Sequence, residues 1–84
     1  KYFMDSLKPG NLVKYSSYPH RELHNSNLVG LVITDAYMPE ASLDFDPSEM
    51  LIDVIWNMDR GLSYPAGTIC WEYPSELELV CENR

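Results

Sequence analysis

The 84-residue sequence is poor in basic side chains and has no long apolar run. Six Lys and Arg stand against 13 Asp and Glu, which gives a formal charge of -7. A field of this sign repels phosphate backbones and anionic lipid, so it argues against nucleic acid and membranes as partners. No run approaches the about 20 apolar residues of a membrane-spanning helix, and residues 1–7 lack the apolar core of a signal peptide. We therefore expect a soluble, non-secreted protein.

Cysteine is scarce as well. Cys70 and Cys81 are two isolated thiols without Cys-x-x-Cys spacing, which is neither a disulfide framework nor a zinc-binding pattern. This predicts two small buried side chains in a reducing compartment. Because they fall in neighbouring predicted strands, a bridge between them is geometrically conceivable, and the separation of their Cα atoms would test it.

Apolar residues make up 45% of the chain and aromatic residues 12%, which is too much for a disordered segment. Runs of β-branched and aromatic residues between turn formers predict five short strands, at 12–15, 28–34, 50–57, 68–73 and 77–81. Long loops at 16–27 and 35–48 separate the first three strands. Residues 73–77, with Pro74 near the start, predict a single 3₁₀ turn before the last strand. Within the second strand, Gly30 indicates a bulge, a bend or a close backbone approach.

Five short strands without a helix longer than one turn predict a small antiparallel barrel, because closure removes exposed sheet edges. Four segments carry a more specific signal: Lys8-Pro-Gly-Asn-Leu-Val-Lys14, Val29-Gly-Leu-Val-Ile33, Ile52-Asp-Val-Ile-Trp56 and the ending from Trp71 to Val80. Their order and spacing resemble the small SH3-like β-barrel proteins encoded as stand-alone genes by tailed bacteriophages, including marine phages. The resemblance implies one all-β SH3-like domain over 1–84, with a five-stranded core at about 8–81 and an N-terminal extension at 1–7. It also implies a phage-encoded accessory or structural protein, located in the host cytoplasm or the virion.

No residue pattern points to catalysis, to a cofactor or to a metal. His20 and His24 are four residues apart, but Arg21 stands where the zinc-protease motif needs Glu, and two further ligands are missing. We interpret both histidines as solvated loop residues. Asp46 and Glu49 are more typical of helix-turn capping than of a calcium loop. With no nucleophile–base arrangement and little room for a cleft, we expect a protein that is not an enzyme.

Aromatic side chains are numerous for so small a barrel, so some must lie on the surface. A groove that could hold a peptide is predicted from four of them, Tyr15, Tyr18, Tyr64 and Trp71. The alternative is that Trp56 and Trp71 pack across the barrel while the tyrosines cover its rim.

The third strand offers a different contact surface. Alternation places Met50, Ile52, Val54 and Trp56 on the core face, and Leu51, Asp53 and Ile55 on the outer face. Exposed aliphatic side chains there would serve self-association or docking on a larger assembly. The sequence therefore predicts a non-catalytic interaction or assembly module, with a homo-oligomer as one form. The alternative is a peptide-binding adaptor, and Lys8, Lys14 and Arg21 leave a nucleic-acid-binding barrel as the least favoured function.

Overall fold

The computed structural model describes residues 7–18, 20–39, 49–60 and 64–80. Along the chain the elements are β1 (Leu12–Tyr15), α1 (Arg21–His24), β2 (Gly30–Val32), β3 (Ile52–Trp56), β4 (Ile69–Glu72), a 3₁₀ turn (Pro74–Glu76) and β5 (Leu77–Leu79). All five strands form one antiparallel sheet in the order β4-β3-β2-β1-β5. The predicted all-β class, the five antiparallel strands and the 3₁₀ turn before the last strand are thus confirmed.

The sheet is strongly curved. Tyr15 on β1 and Glu72 on β4 are separated by β2 and β3, which in a flat sheet would put their strands roughly 14 Å apart. Their side chains nevertheless meet, with 2.6 Å between the Tyr15 hydroxyl and Glu72 Oε2. The inner faces of β1 and β4 therefore approach each other across the core.

Alternating residues of the strands fill the inside of this curve. On β3 the predicted inward residues Ile52, Val54 and Trp56 are buried, and Asp53 and Ile55 face outward. The remaining core residues are Leu7, Val13, Tyr15, Leu28, Val32, Cys70 and Leu77. Gly30 pairs with Trp56 on the neighbouring strand β3, and a Cβ atom on it would meet Val54 Cγ1 and approach Trp56 Cε3 to 2.9 Å. Of the three alternatives predicted for this glycine, the structure shows the close approach to its backbone, made by the side chains of Val54 and Trp56.

The prediction was wrong at the start of β3. Leu51 was expected on an exposed face and is only 1% exposed, whereas Met50, expected in the core, is exposed. Leu51 exchanges two backbone hydrogen bonds of 2.8 Å with Tyr37 in an isolated bridge, which brings the segment after β2 alongside it. Strand alternation therefore begins only at Ile52. Leu51 is a buried residue and cannot contribute to an exposed interface.

The predicted loop at 16–27 contains one helical turn, α1, which packs on β1. None of the helices in the described segments is long and apolar enough to cross a lipid bilayer. Consecutive strands β4 and β5 lie at opposite ends of the sheet order. Cys70 is a buried free thiol, and Cys81 lies outside the described residues, as does Asp46 of the predicted capping pair.

Candidate ligand-binding groove

A depression of about 530 Å³ runs along β4 and opens between that strand and His20, Arg60 and Tyr64. Its lining combines aromatic, aliphatic and charged side chains, namely Tyr15, His20, Arg60, Tyr64, Ile69, Cys70, Trp71, Glu72, Tyr73 and Glu76.

Strand alternation on β4 decides what each residue offers to the groove. Cys70 and Glu72 point inward and are buried, whereas Ile69 and Trp71 point outward and are exposed. Trp71 is 43% exposed and its ring meets the Tyr73 ring edge-on, with centroids 5.5 Å apart. Tyr64 precedes the turn into β4 and is 47% exposed. The groove therefore has partly exposed aromatic walls.

The floor of the groove is a buried carboxylate. Glu72 is only 7% exposed, and its Oε2 accepts hydrogen bonds from the Tyr15 hydroxyl at 2.6 Å and from Trp56 Nε1 at 3.0 Å. The Tyr15 and Trp56 rings are stacked, with centroids 4.6 Å apart and planes 10° from parallel. Since the two donors are held by this stack, Glu72 Oε2 has a fixed position.

Arg60 supplies the positive charge above this floor. Its Nη2 lies 3.7 Å from Glu72 Oε2, and its Nη1 donates to the Tyr15 hydroxyl at 2.7 Å. The guanidinium carbon also lies 4.8 Å from the centroid of the Tyr64 ring and 5.9 Å from those of Tyr15 and Trp56, which are cation–π distances. Arg60 therefore occupies the position in the groove that is best suited to a cation.

Burial dominates the protonation equilibria of the floor. It raises the pKa of Glu72, and the hydrogen bond from Tyr15, the charge of Arg60 and the hydrogen bond from Trp56 offset this only in part. Burial likewise raises the pKa of Tyr15, and the neighbouring Glu72 raises it further. Both groups keep their protons more readily than exposed ones, so the cluster is organised for packing and hydrogen bonding.

The raised pKa of Glu72 predicts how stability depends on pH. A carboxyl group with a higher pKa in the folded state stabilises most below its unfolded pKa, about 4.5 for Glu72, and loses that contribution as pH rises through the folded pKa. Glu72→Gln removes this titration and leaves the other carboxylates in place. We expect the free energy of unfolding of the wild type, minus that of the variant, to fall as pH rises from 4 to 7. Urea titrations at each pH measure this difference, and a rise instead would mean that Arg60 lowers the pKa.

Both histidines make contacts across the fold, so the interpretation of them as solvated loop residues was wrong. His20 Nε2 lies 2.8 Å from Glu76 Oε1 at the rim of the groove, and the His20 ring packs on Tyr15 at 4.6 Å between centroids. His24 Nδ1 lies 3.0 Å from the Tyr15 carbonyl oxygen and 3.5 Å from Glu78 Oε2. His20 is the N-cap residue of α1 and His24 is its last residue, so this helical turn sets the positions of both. In the described segments, no group of three or more His, Cys, Asp and Glu side chains is arranged to hold a metal ion.

Three of the four predicted groove residues, Tyr15, Tyr64 and Trp71, line this one depression. Tyr15 is a buried floor residue, while Tyr18 is 86% exposed and lies outside the lining. The alternative in which Trp71 packs across the interior is wrong, since only Trp56 is buried. Sequence reasoning missed His20, Arg60, Glu72, Tyr73 and Glu76. For Glu72 a signal exists in the sequence, because alternation from the outward Trp71 places its neighbour inside.

Comparisons with protein-family models, with curated proteins and with solved structures find no match to this chain.

Proposed function

We propose that the protein is a non-catalytic interaction module that binds an extended peptide of a partner protein in the groove along β4. The observation that carries this proposal is the convergence of Tyr64 and Trp71, both nearly half exposed, on one depression whose floor is fixed by Tyr15 and Glu72. Partly exposed aromatic walls on a rigid floor are typical of peptide-binding sites, because rings offer large contact areas at low entropic cost.

The charges of the groove favour a neutral, proline-containing peptide over a cationic one. Arg60 already lies over the Tyr64 ring and beside the Glu72 carboxylate, so the place that an incoming Lys or Arg would need is filled. At the rim, His20 and Glu76 contact each other at 2.8 Å. Proline rings pack well on aromatic side chains, and a polyproline II segment loses little conformational entropy on binding.

The strand order and the 3₁₀ turn before β5 support the SH3-like barrel as the fold in which this groove is built. Strong curvature, with β1 and β4 meeting at Glu72, supports it as well. Together with the resemblance to phage-encoded barrels, this leads us to propose an accessory role in a phage virion or in the host cytoplasm.

Removing one aromatic wall tests the proposal. An array of proline-rich peptides, each paired with a version in which alanine replaces proline, serves as the probe. For a peptide that binds, Trp71→Ala and Tyr64→Ala are each expected to raise the dissociation constant at least roughly tenfold, the usual effect of truncating an aromatic anchor. Isothermal titration calorimetry measures the change.

Tyr18→Ala is the matched control, since it removes an exposed aromatic ring that lies outside the groove. Its affinity for the same peptide is expected to equal that of the wild type. Equal losses in all three variants would show that binding does not use the groove. Failure of every proline-rich peptide to bind would remove the proposed ligand class.

A further inference from the structure

The outer face of the sheet carries a second apolar surface, on the strands β1, β2 and β3. Register pairs Leu12 with Leu31 and Leu31 with Ile55, so these three aliphatic side chains form one continuous row across the strands. All three lie next to buried residues in their strands and therefore face away from the core. Leu12 and Leu31 are 36% and 40% exposed.

A second line of aliphatic residues crosses this row along β2. Leu28, Gly30 and Val32 are buried, so Val29, Leu31 and Ile33 alternate onto the outer face. This part of the chain is apolar on both faces. Such a pattern is typical of strands that are covered on both sides, whereas a sheet with one solvent-exposed face shows alternating apolar and polar residues. We define the outer patch as Leu12, Val29, Leu31, Ile33 and Ile55.

Two opposite charges flank the outer patch at diagonal corners. Lys14 lies two residues beyond Leu12 on β1, and Asp53 lies two residues before Ile55 on β3. Because neighbouring strands run antiparallel, these positions fall on opposite sides of Leu31. Among the described residues Lys14 makes no ion pair, and Asp53 accepts one hydrogen bond through Oδ1, from the Tyr37 hydroxyl at 2.6 Å.

We propose that a second copy of this chain docks on the outer patch around a two-fold axis that lies in the plane of contact at Leu31. The line from Lys14 to Asp53 runs diagonally over the outer patch. A two-fold axis perpendicular to this line places each Lys14 over Asp53 of the other copy. It also places the row of Leu12, Leu31 and Ile55 of one sheet over β2 of the other. The two sheets then cross at a large angle, as in orthogonal sheet packing. Such an interface is self-complementary in charge, as two-fold symmetry requires. In the register of β3 and β4, Trp71 pairs with Asp53 and Ile69 with Ile55, so this interface borders the β4 residues that line the groove.

Charge reversal combined with mixing tests this arrangement. Lys14→Asp places Asp against Asp53 of the other copy, and Asp53→Lys places Lys against Lys14, so each variant alone is expected to lose its dimer. In a mixture, one copy of each variant restores both opposite-charge contacts, and a heterodimer is expected. Sedimentation equilibrium at about 0.15 M salt, where the Debye length is about 8 Å, measures the association with little long-range repulsion between the acidic copies.

Truncation of Leu31, at the centre of the outer patch, tests the apolar contacts of the proposed dimer. Leu31→Ser is expected to raise the dissociation constant of the dimer at least roughly tenfold, because a two-fold interface loses the side chain twice. Tyr18→Ala, which removes an exposed apolar side chain elsewhere, is expected to leave it unchanged. Circular dichroism of every variant establishes that it is folded.

Three results would overturn the proposal. The wild type could stay monomeric up to its solubility limit, which would exclude a second copy as the occupant. The dimer could persist in both Leu31→Ser and Lys14→Asp, which would place the interface on another surface. Mixing could fail to restore association of the two folded charge variants, which would exclude the two-fold pairing of Lys14 with Asp53.

Discussion

Glu72→Ala is expected to destabilise the protein by roughly 3–5 kcal/mol, the usual cost of removing one partner of a buried ion pair. The substitution deprives the Tyr15 hydroxyl and Trp56 Nε1 of their common acceptor, and it leaves the Arg60 guanidinium without its carboxylate. All three groups are buried or mostly buried, so water cannot fully replace the lost oxygen. Urea unfolding followed by tryptophan fluorescence measures the loss, since Trp56 changes environment when the core opens.

Glu72→Gln is the matched control for this prediction. It keeps the size of the side chain and an oxygen that accepts from Tyr15 and Trp56, and it removes only the negative charge. We expect it to cost well under half as much as Glu72→Ala at pH 7. Equal costs would mean that the charge opposite Arg60, and not the shared hydrogen-bond acceptor, holds the cluster together. A cost below about 1 kcal/mol for Glu72→Ala would contradict the role of Glu72 as the common partner of Tyr15, Trp56 and Arg60, because a single ordinary hydrogen bond contributes about that much.

Strand β3 shows which parts of the fold can be predicted from the sequence. On β3 the alternation of Ile52, Val54 and Trp56 with polar or outward residues is local, and it predicts both the strand and its core face. Met50 and Leu51 are both apolar, so their own side chains do not show which of them is buried. Their faces were predicted by extending the alternation of β3 toward the N-terminus. The bridge to Tyr37 that buries Leu51 spans a long loop and leaves no periodic signal.

In the groove, too, the aromatic residues were predicted from the sequence, whereas their polar partners were not. An excess of aromatic residues predicts that some lie on the surface, and Tyr15, Tyr64 and Trp71 do share one depression. Their polar partners come from far along the chain: Tyr15 is 57 residues from Glu72 and 45 residues from Arg60. Such contacts follow from how tightly the sheet curves, which depends on side-chain packing between strands and not on the pattern within one strand.

Gly30→Ala is expected to destabilise the protein by about 3 kcal/mol, near the upper end of the cost of overpacking. A Cβ there would meet Val54 Cγ1 and lie 2.9 Å from Trp56 Cε3. Neither neighbour can move away easily, because Val54 is fully buried and the Trp56 ring is fixed by its stack on Tyr15 and its bond to Glu72.

A double-mutant cycle separates this steric cause from a backbone effect. Val54→Ala removes the Cγ1 atom that the new Cβ would meet, so the double variant is expected to lose at least about 1 kcal/mol less than the sum of the two single losses. Gly67→Ala is the control, because Gly67 has a positive φ of 88° and nothing near its Cβ position. Its cost arises from backbone strain and should simply add to that of Val54→Ala. Additive losses for Gly30→Ala and Val54→Ala would contradict close packing of β2 against β3 as the reason for this glycine.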